Sequence, residues 1–397
     1  TNNKDKKVLN VPNLRFPEFT EEWERCSLGH VTDFVKERIS TDKLTLANYV
    51  STENMKSDFG GINPAISIPN NTNVIHYKKG DVLLSNIRPY LRKVWAANSD
   101  GGCSTDVFVF RAKSISPSFL HYIMANDTFI NYVMSGAKGV KMPRGDKEQM
   151  LKYVFSIPRI EEQYKISRLL HLLDDRIATQ NKIIEKYESL IQAICDTLIE
   201  SGQPKVELSF NDFGEPYSGL SGKSAEDFGK GWPYITYMNV YQNQIIDITD
   251  VGLVKINETE QQSVVRYGDI LFTLSSETPD EVGMGAVYLG DIYPLYLNSF
   301  CFGVHITDES KIYPPFLAYY ISTKSFRKAV FPLAQGSTRF NLQKSDFMKK
   351  KFLFPTVEEQ NKIYSVLKAY SDKLSIEKNI ANLLCEQKSY LLRQLFI

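Results

Sequence analysis

Three short stretches of the chain carry residue types that do chemistry in other proteins. Gly219-Leu220-Ser221-Gly222-Lys223-Ser224 ends like a phosphate-cradling loop, where backbone N–H groups and a lysine hold a nucleotide. The first glycine of such a loop belongs five residues before Gly222. Tyr217 stands there, after a turn-rich Asn211 to Pro216 instead of a strand. Nucleotide hydrolysis is therefore not expected, although Lys223 and nearby N–H groups suit a nucleic-acid phosphate, or simply form a surface turn. Asn86-Ile87-Arg88-Pro89-Tyr90 approaches the Asn-Pro-Pro-Tyr pattern of amino-methyl transfer, with one residue too many and no glycine-rich cofactor loop. Pro279-Asp280 with Glu309-Ser310-Lys311 formally fits the carboxylate–lysine set of many nucleases, in a pattern short enough to arise by chance. No Gly-x-Ser-x-Gly elbow occurs. The five histidines and five cysteines are scattered, without a Cys-x-x-Cys clip, so reduced thiols and no metal are expected. These residues point to binding more than to catalysis.

Charge is more informative than motif. The 47 Lys+Arg and 46 Asp+Glu nearly cancel, which excludes a uniformly basic coat. From Glu200 to Ser310 there are 5 basic and 17 acidic residues; from Lys311 to Leu353 there are 9 basic and 1 acidic. Lys138, Lys141, Arg144, Lys147 and Lys152 occupy the equivalent segment earlier in the chain. Lys78, Lys79, Arg88, Arg92 and Lys93 form another cluster, interleaved with Tyr77, Tyr90 and Trp95. Basic groups with polar and aromatic neighbours suit DNA backbone and base edges; the bland alternative is a solvated face.

The elements that position these residues are written twice. Shifting the sequence by 197 superimposes Ile115 to Leu198 on Ile312 to Leu395, with 22 identities in 84 positions. Gly80-Asp81-Val82-Leu83-Leu84 resembles Gly268-Asp269-Ile270-Leu271-Phe272 at a shift of 188, and little else in the fronts aligns. Each half thus has a variable front and a repeated back. Strands are expected at Asp81 to Leu84, Val107 to Phe110, Tyr234 to Tyr237, Asp269 to Thr273 and Ala286 to Leu289, and helices at Ser118 to Val133 and Pro315 to Val330. No regular βαβ alternation appears.

Each back ends in a long helix. Ile166, Leu170, Leu173, Ile177, Gln180, Ile184, Tyr187, Ile191, Ile194 and Leu198 alternate steps of four and three. The second copy is Ile363, Leu367, Tyr370, Leu374, Glu377, Ala381, Leu384, Lys388, Leu391 and Leu395, with Glu377 matching Gln180 as a polar layer. Ser201-Gly202-Gln203-Pro204 supplies stop signals. A helix of some forty residues spans roughly 60 Å. The expected fold is α+β: two tandem mixed α/β modules, each followed by a long helix, the helices pairing as an antiparallel coiled coil with pseudo-twofold symmetry. The expected boundaries are 1–156 and 201–353 for the modules, 157–200 and 354–397 for the helices. No apolar run approaches the roughly 18 residues of a membrane span, no signal peptide is visible in the polar Thr1 to Lys7, and the scattered cysteines fit reduced thiols, so a cytoplasmic protein is expected.

The duplicated Pro-x-x-Glu-Glu-Gln-x-Lys-Ile at 158–166 and 355–363, the opening Leu14-Arg15-Phe16-Pro17-Glu18-Phe19 with Trp23, and Gly336-Ser337-Thr338-Arg339 resemble the specificity (S) subunits of Type I restriction–modification systems. Gly139-Val140-Lys141-Met142 departs from the last pattern in the first half. The resemblance implies two target recognition domains, each reading one half of a bipartite, asymmetric double-stranded DNA site. It implies that the helices set the half-site spacing. It also implies recruitment of two methyltransferase (M) subunits and two restriction (R) subunits, which carry S-adenosylmethionine, ATP and Mg²⁺, and no catalysis or cofactor in this chain. The DNA contacts expected on that reading are Ser85, Asn86, Arg88, Tyr90, Arg92, Lys138, Lys141 and Arg144 in the first module, and Tyr217, Ser218, Lys223, Ser276, Thr278, Ser337, Thr338 and Arg339 in the second. Helix pairing is expected through Ile166, Leu170, Leu173, Ile177, Ile184, Tyr187, Ile191, Ile363, Leu367, Tyr370, Leu374, Leu384 and Leu391. The alternative is a stand-alone DNA methyltransferase or nuclease built on the weak motifs.

Overall fold

The computed structural model describes residues 10–200 and 204–397. The Ser201 to Gln203 part of the expected stop signal lies outside them. Two compact units form: the described residues up to Gln180 with Ile380–Ile397, and those of Asn181–Asn379. The division cuts through both long helices, Ile160–Glu200 and Val357–Leu395, instead of following the linear modules.

In the first unit an antiparallel sheet runs Thr32–Phe34, Val107–Ala112, Val82–Ser85, Val94–Ala96. A second runs Arg38–Ser40, Asn73–Tyr77, Gly101–Cys103, Tyr49–Val50, its last pair parallel. Val82 to Leu84 is apolar at every position because both faces of the strand are covered. Alternation sends Val82 and Leu84 into one core and Leu83 into another. The second unit repeats this arrangement. Its sheet runs Gly214–Ser218, Cys301–Ile306, Ile270–Thr273, Gly285–Val287, and Ile270 and Phe272 face one core while Leu271 faces another.

Each expected module helix is in fact a pair, Pro117–Met124 with Asp127–Ser135 and Pro314–Tyr320 with Lys324–Val330. Asn126 and Thr323 break them by accepting, through side-chain oxygens, from Thr128 N at 2.9 Å and Phe326 N at 3.2 Å. The strand expected at Tyr234 to Tyr237 ends at Ile235, because Thr236 caps a helix at Tyr237–Gln242.

The duplicated glutamine explains why the repeat persists at the helix starts. Gln163 Oε1 accepts from Ser116 N at 2.8 Å and its Nε2 donates to Pro158 O at 2.9 Å; Gln360 does the same with Tyr313 N at 2.7 Å and Pro355 O at 2.8 Å. Both side chains are buried, so each ties a long helix to its module by satisfying two backbone groups at the helix start. In the first unit Arg15 adds a bidentate pair to buried Glu162, at 2.8 and 2.7 Å.

The helices pair within each unit. In the first, Ile166 and Leu170 share a core with Leu395, flanked by Leu391 and Leu392, and Asp174 meets Lys388. In the second, Ile191, Cys195 and Ile199 share a core with Ile363 and Leu367, flanked by Tyr370 and Leu374, and Lys378 meets Glu188 at 2.7 Å. In each unit, early residues of one helix neighbour late residues of the other, so the pairing is antiparallel. The regular heptad loses register near Glu200: Cys195 and Ile199 are buried, whereas Ile194 and Leu198 are only half-buried. A straight helix drifts from a seven-residue repeat, and here its end faces a module core instead of one helix. Leu173 and Leu384 are buried; Ile177, Ile184 and Tyr187 are half-buried. Gln180 and Glu377 are buried in their respective units.

Candidate nucleic-acid interface

The site in the first unit is built on the end of the strand Val82–Ser85. Beyond it the backbone turns through Arg88 and Arg92, both in the left-handed region at φ 51° and 55°. This turn is laddered to a second loop, 138–144. Arg88 N donates to Pro143 O at 2.8 Å, Gly145 N donates to Asn86 O at 3.1 Å, and Lys138 and Arg144 exchange backbone bonds of 2.9 Å. Gly139 closes this loop at φ 97°, where a side chain would be strained. The ladder sets the turn that carries Arg88 and Tyr90 beside the loop that carries Lys138, Lys141 and Arg144, and all five residues are exposed.

Lys138 pairs with Asp146 at 2.7 Å and Arg144 with Asp106 at 2.8 Å, both in water, where such pairs contribute little and exchange readily for a phosphate. Among the described residues Arg88 and Lys141 have no side-chain partner.

Other expected contacts in this unit are used internally. Ser85 is buried and its hydroxyl donates to Ile87 O at 3.0 Å. Asn86 is buried, its Oδ1 without a partner. Arg92 binds Asp58 and, at 3.1 Å, Asp127, and it lies over the Phe59 ring. Its guanidinium therefore staples the turn and does not face outward as a free cation.

The second unit repeats the ladder. Leu342 N donates to Leu274 O at 2.8 Å, as Gly145 N does to Asn86 O, and Gln335 pairs with Asn341 as Lys138 pairs with Arg144. The connecting loop carries Ser337, Thr338 and Arg339, all exposed. Gly336 opens it at φ 139°, and a Cβ there would sit 2.1 Å from Arg339 O. Arg339 lies over the exposed Phe300 ring at 5.7 Å and donates to Ser275 Oγ at 3.3 Å. Thr278 is exposed on the adjoining turn; Ser276 is buried and donates to Glu281 at 3.2 Å. Ser218 is exposed and accepts from Lys344 at 3.2 Å.

Two expected contacts of this unit face inward. Tyr217 is buried: its hydroxyl donates to Asp269 at 2.8 Å and its ring stacks on His305 at 4.1 Å. The Lys223 side chain is buried, donating to Lys255 O at 2.7 Å and pairing with Glu260. Arg327, part of the basic run, donates to the carbonyls of Asp280, Val282 and Gly283, all at 2.7 Å. Burial lowers its pKa from the ordinary arginine value, and its role is to hold a loop. Val140 and Met142 are not among the contacts expected from sequence, although the alignment of Gly139 with Gly336 places them on the equivalent loop; nothing in the sequence singles out Phe300.

The lysines of the weak catalytic motifs are engaged in structural contacts. Lys311 donates to Asp212 O and pairs with neighbouring Asp308, each at 2.9 Å, and Lys223 is spent on Glu260. Among the described residues there is no metal-holding cluster of His, Cys, Asp and Glu, and no helix is long and apolar enough to cross a membrane.

Residues 20–189 and 218–386 match the family model described as Type I restriction modification DNA specificity domain. The specificity subunit of the Type I restriction enzyme MjaVIII from Methanocaldococcus jannaschii is 22% identical over 413 residues, covering 94% of this chain and 91% of that protein. The EcoDI specificity subunit of Escherichia coli is 30% identical over 119 residues, 29% of this chain and 27% of that protein. Among solved structures, the S subunit from M. genitalium superimposes with a TM-score of 0.58 at 16% identity, covering 98% of this chain and 99% of that one. A chain from a study of complex assembly and conformational transition of the type I R-M system gives 0.58 at 19% identity, covering 93% and 96%. With two copies of the family domain, each built on the same ladder of loops and each joined to a long paired helix, the chain belongs to the specificity subunits of Type I restriction–modification systems.

Proposed function

We propose that this chain is a DNA-reading adaptor for a bipartite, asymmetric duplex site, the first unit's loops reading one half and the second unit's the other. One observation carries the reading: the same backbone ladder presents Arg88, Tyr90, Lys138, Lys141 and Arg144 in one unit, and Thr278, Ser337, Thr338 and Arg339 in the other. A shared frame with different side chains is what two unlike half-sites require. Ser218 stands as a further contact in this reading. Ser85, Asn86, Arg92, Tyr217, Lys223 and Ser276 act behind the face, holding its loops. The paired helices serve as spacer and as platform for two M subunits, and two R subunits join through the complex. S-adenosylmethionine, ATP and Mg²⁺ belong to those partners, adenine methylation and cleavage are theirs, and the assembly works in the cytoplasm.

Exchanging residues 1–156 for the corresponding module of another S subunit, in cells with the matching M subunits, tests this. Mapping methylated adenines should show one half-site changed and the other retained. A change in both halves, or in neither, overturns the assignment of one half-site to each unit.

A further inference from the structure

The loop at 138–144 carries an unusual pair for a basic surface. Val140 is fully exposed and Met142 is half-exposed, on either side of Lys141. Neither belongs to an apolar cluster of the unit, and neither side chain can donate or accept a strong hydrogen bond. The surroundings select the partner. Lys138, Lys141 and Arg144 share the loop with the two apolar groups, and Arg88 lies on the turn laddered to it. Lys138 and Arg144 have carboxylate partners that a phosphate can displace, and Arg88 and Lys141 have none among the described residues, so the surface attracts a polyanion and disfavours a greasy protein face. In the second unit the aligned positions are Ser337, Thr338 and Arg339, on the same hairpin frame. The two hairpins thus offer opposite chemistries from one place. Ser337, Thr338 and Arg339 offer hydrogen bonds to base edges. Val140 and Met142 offer only apolar contact.

On duplex DNA the apolar group at a base edge is the C5-methyl of thymine, in the major groove. Resting on the DNA-reading function proposed above, we infer that Val140 and Met142 are specificity determinants recognising thymine methyl groups in the half-site read by the first unit. That half-site contains thymine at one or two positions facing the 138–144 loop, and deoxyuridine there is a poor substitute. A base-step wedge would make a different prediction, because unstacking does not depend on the methyl group.

The test uses the full chain assembled with its M subunits and duplexes carrying the mapped site. Each thymine of the first unit's half-site is replaced in turn by deoxyuridine, which removes one methyl and leaves pairing intact. Wild-type complex should lose about fourfold in affinity per contacted methyl, the value of burying one methylene. The Val140→Ser/Met142→Ser variant, changed only at exposed positions, should bind thymine and deoxyuridine duplexes equally. A half-site without thymine, or equal binding of both duplexes by the wild type, overturns the thymine-methyl assignment while leaving DNA reading intact. Failure of the wild-type complex to prefer its site over unrelated DNA sinks the DNA-reading function itself.

Discussion

Asp174 on the first long helix and Lys388 on the second meet at 2.5 Å, and the Tyr122 hydroxyl donates to the same carboxylate at 2.8 Å. The positions 197 residues away carry no charge: Ser371 replaces Asp174, Ile191 replaces Lys388, and Tyr319 bonds Ser371 Oγ at 3.0 Å. The repeat has kept the tyrosine in both units and confined the ion pair to one.

Lys388→Ile should lower stability by about 1–2 kcal/mol, because it leaves a partly buried carboxylate with only the tyrosine. Asp174→Ser with Lys388→Ile, which copies the other unit, should cost less than the two single changes summed. Urea denaturation of the four proteins measures the coupling; strict additivity would show that the residues do not support each other.

His121 sits beside this pair, with Nδ1 buried and unpartnered. Burial, and then the Lys388 charge, push its pKa down to about 4, with Asp174 acting the other way. An unfolded histidine titrates near 6.5, so between these values the unfolded chain takes up a proton that the folded chain refuses. Stability should therefore fall as pH drops from about 6.5 to 4, by up to roughly 2 kcal/mol for this partly exposed residue. His121→Ala, the residue present at 318, should flatten that limb in urea titrations run across the range. An unchanged slope would place the proton uptake elsewhere.

Gln360→Leu keeps the volume but strands Tyr313 N and Pro355 O in a buried site. A loss of about 2–4 kcal/mol is expected for the second unit, and a similar one for Gln163→Leu in the first. Thermal unfolding checks both. Losses under 1 kcal/mol would mean that water replaces the amide.

Two cations from the same kind of sequence cluster should behave differently. Lys141→Ala should leave stability alone and reduce the salt dependence of DNA binding by about 0.9 in log–log slope, one phosphate contact. Arg327→Met should leave that slope unchanged and destabilise the second unit by about 2–3 kcal/mol, because three carbonyls lose their donor. Binding isotherms at several salt concentrations with parallel melts separate the two.

Much of the fold was legible because its signals are local or repeated. Gln163 and Gln360 are identical since each performs the same two-bond clamp. The runs Val82 to Leu84 and Ile270 to Phe272 read as buried strands because both faces are covered. The long helices announced themselves by spacing, though Cys195 and Ile199 escaped a strict heptad. The breaks at Asn126 and Thr323 were missed because apolar periodicity continues across them while a capping side chain ends the helix.

The candidate site was legible in place and not in detail. By itself the sequence determined that there are two modules, that each carries a basic loop before its long helix, and that Gly139 and Gly336 mark the same turn. Only the tertiary structure decided which of those cations are available. Arg92 is spent on Asp58, 34 residues away, and Lys223 on Glu260, 37 residues away; Arg327 is spent on carbonyls 44 to 47 residues away. A charge shows its sign in the sequence, but its partner is set by the path of the folded chain. The same path exposed Val140 and Met142, residues that hydropathy alone would have sent to a core.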